Sequence, residues 1–397
     1  MKRFFFLYPF LCFFVSSVAL GREPQPLPAR STTAQKTVRA RDLGVPFEGT
    51  PGPLNAITDL AGVEVGYTTL ISGEGKLVVG KGPVRTGVTA IIPRGHDSLN
   101  DPVYAAVFSL NGNGEMTGTH WIEESGFLEG PVIITNTHSV GVARDAVIAW
   151  RIKHGAADAS GYWWSLPVVA ETWDGELNDI NGLHVKPENA FEALDAARSG
   201  AVPEGNVGGG TGMICFGFKG GIGTASRKLD ERAGGYTLGV LVQCNCGGRT
   251  QLRIAGIPVG LELQKMAVRE EDRGSIIIVI ATDAPLLPHQ LKRLARRATM
   301  GLARDGSTSG NGSGDIFVAF STANAGAAKE TGLTQLTMLP NDRMNPLFEA
   351  VVQATEEAIL NAMFAAETMV GVDNHKVEAL PIEPMREILK RFNRLNQ

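Results

Sequence analysis

The stretch that decides the fold is "EEDRGSIIIVIATDAPL", residues 270–286. A charged run closes on Gly274, and Ser275 follows. Ile276 to Ile280 are then all apolar and β-branched, the pattern of a strand buried on both faces. A serine thus stands where a solvated connection enters the core. Its hydroxyl is a weak nucleophile and needs a base. One base is near at hand, the serine's own α-amino group, whose unperturbed pKa is about 7.7–8.0. Within a continuous chain that nitrogen is an amide, so this chemistry requires a cut immediately before Ser275. Gly274 suits such a cut, because a residue without a Cβ leaves its carbonyl open to attack and accepts a strained backbone. Spacing alone favours the plainer reading, a polar residue at a strand entrance.

Outward from this junction the chain alternates strands and helices without strict βαβ order, which predicts a layered α+β fold. Downstream, Pro288 stands at a first helical position, and Leu291, Leu294, Ala295, Ala298 and Leu302 recur on one helical face. Lys292, Arg293, Arg296 and Arg297 occupy the other face and read as solvated. "SGDIFVAFSTAN" (313–324) predicts a strand, and residues 345–369 a long amphipathic helix. Upstream, residues 87–95, 102–112 and 130–136 predict strands closed by Gly or Asn. Residues 139–155 predict a helix capped by Ser139, and 189–200 a short helix closed by Gly200. "TGMICFGFKGGIGTASR" and "YTLGVLVQCNCGG" predict paired strands. Residues 261–274 are charged and predicted to be exposed. Residues 22–53, rich in Pro, Arg and Thr, predict an extended lead-in, with the ordered body starting near Leu54.

Composition narrows the classes. The 397 residues are 43% hydrophobic and 20% charged, enough for a large core. A net charge of −4 gives no reason to expect nucleic acid or a membrane surface as partner. The 48 glycines fall in short clusters without a period, so neither collagen nor disorder follows. "MKRFFFLYPFLCFFVSSVALG" (1–21) joins a basic start to an apolar stretch, with Ala19 and Gly21 at the −3 and −1 positions of a cut before Arg22. This predicts a secretory signal peptide and a periplasmic or secreted protein; a retained anchor is the alternative. Beyond Cys12 remain Cys215, Cys244 and Cys246, an odd number that leaves at least one thiol unpaired in an exported protein. Cys244 and Cys246 are too close for a zinc pair, and all three read as buried small apolar residues in strands.

Familiar catalytic motifs are missing. "GKLVVGKG" (75–82) lacks the hydroxyl of a phosphate loop, since Gly82 follows Lys81. No G-x-S-x-G elbow occurs. His96, His120, His138, His154, His184, His289 and His375 include no pair at helical metal-ligand spacing, and His120 with Glu123 and Glu124 lacks the second histidine of a zincin. No metal or cofactor is expected.

The block "GSIIIVIATDAPLLPHQLKRLARRA" resembles the start of the small subunit in DmpA-type peptidases, the L-aminopeptidase/D-Ala-esterase/amidase family that includes β-aminopeptidases. "LNGNGEMTGTHWIEESG", "VVAETWDGELNDING", "GNVGGGTGMICFGFKGGIGTASR" and "NGSGDIFVAFSTAN" look like further family blocks, in order over most of the mature chain. The resemblance implies a four-layer α-β-β-α sandwich of the N-terminal-nucleophile-hydrolase kind. It implies self-cleavage at Gly274–Ser275 into a large part (residues 54–274 plus the lead-in) and a small part (275–397) of one catalytic domain. It further implies homo-oligomers of cleaved pairs that release N-terminal residues from short peptides, amides and esters bearing a free amino group, without metal. By position, Ser275 matches the nucleophile and Ser313 a second serine that contacts it. Asp315 matches an acidic residue, Glu in some relatives, that completes the network. Asn245 matches an oxyanion donor, and Glu171 the carboxylate that receives the substrate amine. Trp173 stands where the family places a tyrosine. An indole donates but cannot accept and is longer, which predicts a reshaped pocket. The competing readings are an acyltransferase resembling ornithine acetyltransferase, whose cut precedes threonine, and an inactive binding protein of the same fold.

Overall fold

The computed structural model describes residues 38–155, 164–263, 274–329 and 331–395. The signal segment and most of the charged run before Gly274 lie outside the described residues. In chain order the strands are β1 (Glu64–Ser72), β2 (Val84–Ile92), β3 (Val103–Gly112), β4 (Phe127–Leu128), β5 (Val132–Asn136), β6 (Val168–Thr172), β7 (Ile214–Cys215), β8 (Phe218–Lys219), β9 (Gly221–Lys228), β10 (Thr237–Asn245), β11 (Ser275–Thr282), β12 (Gly314–Ser321), β13 (Met369–Val370) and β14 (Lys376–Val377). The helices are α1 (Thr119–Ser125), α2 (Val140–His154), α3 (Pro187–Asp195), α4 (Val259–Glu262), α5 (Pro288–Arg304), α6 (Asn345–Ala365) and α7 (Ile382–Arg391).

Two sheets carry the architecture, one ordered β1-β2-β5-β6 and one ordered β4-β3-β12-β11-β10-β9. Three apolar clusters show how they stack. Val88, Ala90, Ile133 and Val169 of the first sheet pack on α2 and α3 through Ala143, Val147, Trp150, Ala190 and Leu194. The opposite face of that sheet, with Ile91, Ile134 and Ala170, meets Leu241, Ile277, Val279 and Val318 of the second. The second sheet's outer face, with Val240, Val242, Ile276, Ile278 and Phe317, is covered by α5 and α6. Three interfaces between four layers are the α-β-β-α sandwich that the family resemblance implied. They also explain the unbroken apolar run of β11. Ile276, Ile278 and Ile280 face the helices, whereas Ile277, Val279 and Ala281 face the first sheet, so neither face can be polar.

Several elements depart from expectation. The body begins before Leu54: Ala40 and Val45 are core residues, and Arg41 makes two hydrogen bonds, of 2.9 and 2.6 Å, to Glu357 of α6. Only the fold brings that buried carboxylate to the lead-in. Ser139 holds the N-cap position of α2, but its side chain makes no capping bond. The short helix expected to close at Gly200, α3, ends at Asp195. α6 is buried nearly all round, more core helix than amphipathic one. The solvated face of α5 is also used, with Arg297 stacked on Phe348 and Lys292 bonded to Glu123.

Candidate active site

β11 lies in the interior of the six-stranded sheet, antiparallel to β10 and parallel to β12. Register places Asn245, the last residue of β10, opposite Ser275, the first of β11, and Asp315 beside Ile276. Residues from three strand ends therefore converge at one edge of the sheet. Gly314 N–H donates to Ser275 Oγ at 3.0 Å, and Ser313 Oγ donates to Asp315 Oδ1 at 2.7 Å. With its hydrogen committed to Asp315, the Ser313 oxygen keeps lone pairs that can accept from a neighbour. A register shift between Asp315 and Ile316 against β3 marks a bulge. Such irregularities re-aim side chains beside active sites.

Asn245 is bonded on both sides of its carboxamide. Ile214 N–H donates to Oδ1 at 2.7 Å, and Nδ2 donates to the Trp173 carbonyl at 3.0 Å. An N–H can meet only the oxygen, so the Ile214 contact fixes which end of the amide is the donor. Trp173 touches Asn245 through its main chain. Its indole, 41% exposed, lies over Gly175, where an added Cβ would stand 2.6 Å from ring carbon Cζ2.

Glu171, on β6 of the other sheet, is buried. Its Oε1 accepts from Glu115 N–H at 2.9 Å and its Oε2 from the Thr137 hydroxyl. Burial pushes its carboxyl above the ordinary carboxylate range against these two hydrogen bonds. Gly114 lies between it and the residue that holds Ser275 Oγ: a Cβ there would lie 3.2 Å from Gly314 Cα and 3.3 Å from Glu171 Oε1. A buried carboxylate can receive an ammonium, an amide N–H can stabilise an oxyanion, and a hydroxyl held at a strand start can attack a carbonyl.

Gly274 is glycine for a reason the sequence did not show. A Cβ there would stand 1.9 Å from the Asn245 carbonyl oxygen. This close approach to backbone leaves no room for a side chain. Sequence reasoning also missed Gln243, whose Nε2 donates to the Thr135 carbonyl at 3.0 Å and to Thr172 Oγ1 at 2.8 Å. It stitches β10 to the strands that carry Glu171. The signal was present as a lone polar residue inside "GVLVQCN". Nothing in the sequence marked Gly314 or Ile214, which act through backbone N–H groups, or Thr137, whose hydroxyl meets a residue distant in the chain. The cysteines are buried as expected, but Cys215 and Cys244 are bonded to each other rather than merely packed. The β7–β8 turn carries Cys215 to the end of β10, a juxtaposition that spacing cannot show. Cys215, Cys244 and Cys246 are the one grouping, among the described residues, of three side chains of metal-ligating type.

The profile of peptidase family S58 matches residues 55–377. The chain belongs to that family. A beta-peptidyl aminopeptidase, BapA, of Sphingosinicella microcystinivorans is 58% identical over 375 residues, covering 90% of this chain and 93% of the relative. Among solved structures, the L-aminopeptidase D-Ala-esterase/amidase of Ochrobactrum anthropi superposes with a TM-score of 0.84 at 49% identity, covering 90% of this chain and 99% of that one. It is described as a variant of the Ntn hydrolase fold. A beta-aminopeptidase of Burkholderia sp. gives 0.83 at 48% identity, covering 89% and 99%. The chain is accordingly an aminopeptidase-type hydrolase of the N-terminal-nucleophile fold. No helix among the described residues is long and apolar enough to cross a membrane.

Proposed function

We propose that the protein is exported to the periplasm or beyond, cuts itself at Gly274–Ser275, and then releases N-terminal residues, β-amino acids in particular, from short peptides, amides and esters. The observation that carries this reading is Ser275 itself, whose Oγ is held by Gly314 N–H directly opposite Asn245. The preference for β-amino acids rests on two curated relatives, 58% and 50% identical, both named beta-peptidyl aminopeptidases. The cut turns the Ser275 amide into an amine with a pKa suited to a base. That amine takes the hydroxyl proton while Ser313, bonded to Asp315, accepts from it. Ser275 Oγ attacks the substrate carbonyl, Asn245 Nδ2 turns from the Trp173 carbonyl toward the oxyanion, and the amine or alcohol leaves with the proton. Water then resolves the acyl-enzyme by the same route. Glu171 reads the substrate ammonium, which confines attack to a free amino terminus. The cleaved pairs assemble as homo-oligomers.

Intact mass and N-terminal sequencing of purified protein test the cut, and a panel of α- and β-aminoacyl p-nitroanilides tests the activity. Two fragments, one beginning at Ser275, with faster turnover of β-aminoacyl substrates, are expected. Ser275→Ala should yield one uncut, inactive chain. An Asn245→Ala enzyme should lose about 10²–10³-fold in kcat. Cleavage of Ser275→Ala at the same bond would overturn the assignment.

A further inference from the structure

The three cysteines surround the residue read above as the oxyanion donor, and the inference drawn from them rests on that reading. Cys244 immediately precedes Asn245. Cys215 immediately follows Ile214, whose N–H fixes the Asn245 carboxamide at 2.7 Å. The Cys215–Cys244 bond therefore ties the neighbour of the donor to the neighbour of the acceptor. Their Cα atoms are 5.9 Å apart, in the ordinary range for a disulfide, and the bond closes a separation of 29 residues. Both sulfurs lie in the apolar cluster on the helix side of the sheet. Asn245, like Gln243 on the same strand, points to the other side, toward β5 and β6. The sulfurs thus act on Asn245 through the backbone and touch no substrate.

β7 needs such help. Among the described residues it is two residues long and pairs with two-residue β8, and so short a ribbon is marginal on its own. A few backbone bonds hold it, among them Phe216 N–H to the Cys246 carbonyl at 2.7 Å and Gly220 N–H to the Met213 carbonyl at 2.9 Å. A covalent link adds a restraint at the place where Ile214 must stay within hydrogen-bond reach. The third sulfur, Cys246 Sγ, lies 3.8 Å from Cys215 Sγ and 3.9 Å from Cys244 Sγ.

We infer that the Cys215–Cys244 disulfide is a redox-dependent positioning device for Asn245: closed, it keeps Ile214 N–H on the carboxamide oxygen, so that Nδ2 is the end free to turn toward the oxyanion, and opened, it lowers turnover. A dithiol reductant opens it. Two electrons and two protons pass to the cysteine pair, which becomes two thiols, while the reductant closes to its own disulfide. The bond can also migrate without an external reductant. The Cys246 thiolate attacks Cys215 Sγ, the new bond forms between these two sulfurs, and Cys244 leaves as the thiolate and takes up the proton that Cys246 gave up.

The test uses the full chain carrying Cys246→Ala, which removes the migration route. Cys215→Ala, Cys244→Ala and the double variant are compared, with activity expressed per cleaved molecule on a β-aminoacyl p-nitroanilide. Each single variant should lose about tenfold in kcat with KM within about twofold, since loosening a donor costs less than deleting it. The double variant should be no slower than either single one, because the two sulfurs act as one bond. Dithiothreitol should bring the Cys246→Ala parent to the same kcat, and alkylation followed by intact mass should then count two newly trapped thiols. Unchanged kcat in the double variant, losses that multiply, or two trappable thiols in the untreated active parent would each overturn the inference. If the alanine variants fail to fold, the dithiothreitol arm alone decides. Asn245→Ala is measured alongside. If that variant keeps its kcat, the oxyanion reading falls. If it loses kcat while the cysteine variants do not, only the present inference falls.

Discussion

Replacing Gly274 by Ala puts the self-cleavage reading to a quantitative test. A Cβ at residue 274 would stand 1.9 Å from the Asn245 carbonyl oxygen, 2.6 Å from its carbonyl carbon and 2.7 Å from Cys246 Cα. All three are backbone atoms, so no flexible side chain can yield. Asn245 is pinned by its register with Ser275 and by Ile214. Opening the closest contact from 1.9 Å to the 3.0 Å below which real Cβ atoms do not go demands a movement of about 1.1 Å. That movement falls on the peptide bond to be cut. A misplacement of about 1 Å costs roughly 10²-fold in a reaction that depends on near-attack geometry. Gly274→Ala should therefore slow autoproteolysis by about two orders of magnitude, read from a time course of fragment appearance on denaturing gels. Residue 274 belongs to the departing end, so kcat per cleaved molecule should stay within a few-fold of the parent. Cleavage at the parental rate would refute the steric argument. An equal loss in kcat per cleaved molecule would show that the damage lies in the site rather than in the cut.

Glu171→Gln removes the charge proposed to read the ammonium. Losing one partner of a buried charged pair costs about 2–5 kcal/mol, so kcat/KM for free-amine substrates should fall at least roughly 30-fold, mostly through KM. In the parent, burial raises the Glu171 carboxyl, so the acid limb of kcat/KM should lie above the usual glutamate value of about 4.3 and be absent from the variant; an unmoved limb would refute the role. Asp174, which accepts from Asn136 and Asn178, is pushed up to about 6 by burial. The folded state then holds its proton more tightly than the unfolded chain, and stability is greatest below about pH 4. It declines as pH rises from about 4 to 6, by roughly 3 kcal/mol. Asp174→Asn escapes this, so variant-minus-parent melting temperature should climb across that window and then level off; a flat difference would refute the assignment. Gln243→Leu strips a donor from Thr135 O and Thr172 Oγ1, at about 1–3 kcal/mol each. Denaturant unfolding should show about 2–6 kcal/mol of lost stability, and no loss would mean that the two sheets are not held there.

The layers were legible because each strand must satisfy two surfaces. An isoleucine-rich run with no polar alternation has only one place to go, between two apolar layers, and β11 is found there. Ser275 and its partners became legible as a set only through whole blocks resembling a family, since spacing alone leaves Ser275 a strand-entry polar residue. What stayed hidden is long-range. Glu357 is an ordinary helical glutamate in the sequence, and only the fold puts Arg41, Asn55 and Arg227 around it. Cys215 and Cys244 read as unrelated because the turn that joins them depends on a two-residue ribbon. Gly274 was legible as a glycine with an open carbonyl and tolerance of strain, and the structure adds a close approach to Asn245 that no local pattern could show.

The placement of Ser275 answers a difficulty inherent in making a chain end catalytic. New termini fray, because the last residues of a segment usually lack partners on one or both sides. A base on a fraying terminus would lose the alignment on which its chemistry depends. Here Ser275, the residue that the proposed cut would make a terminus, opens a strand flanked by β10 on one side and β12 on the other, and the next residues, Ile276 and Ile277, are fully buried between helices and sheet. Retreat would break pairing with both neighbours and expose two isoleucine side chains, at about 1.5–3 kcal/mol each. The same two neighbours deliver the other groups, Asn245 from β10, Gly314 and Asp315 from β12. On the proposed function, the strand that fixes Ser275 is therefore also the ruler that sets its distance from Asn245. The apolar run directly after the serine would then be part of the catalytic apparatus rather than background to it.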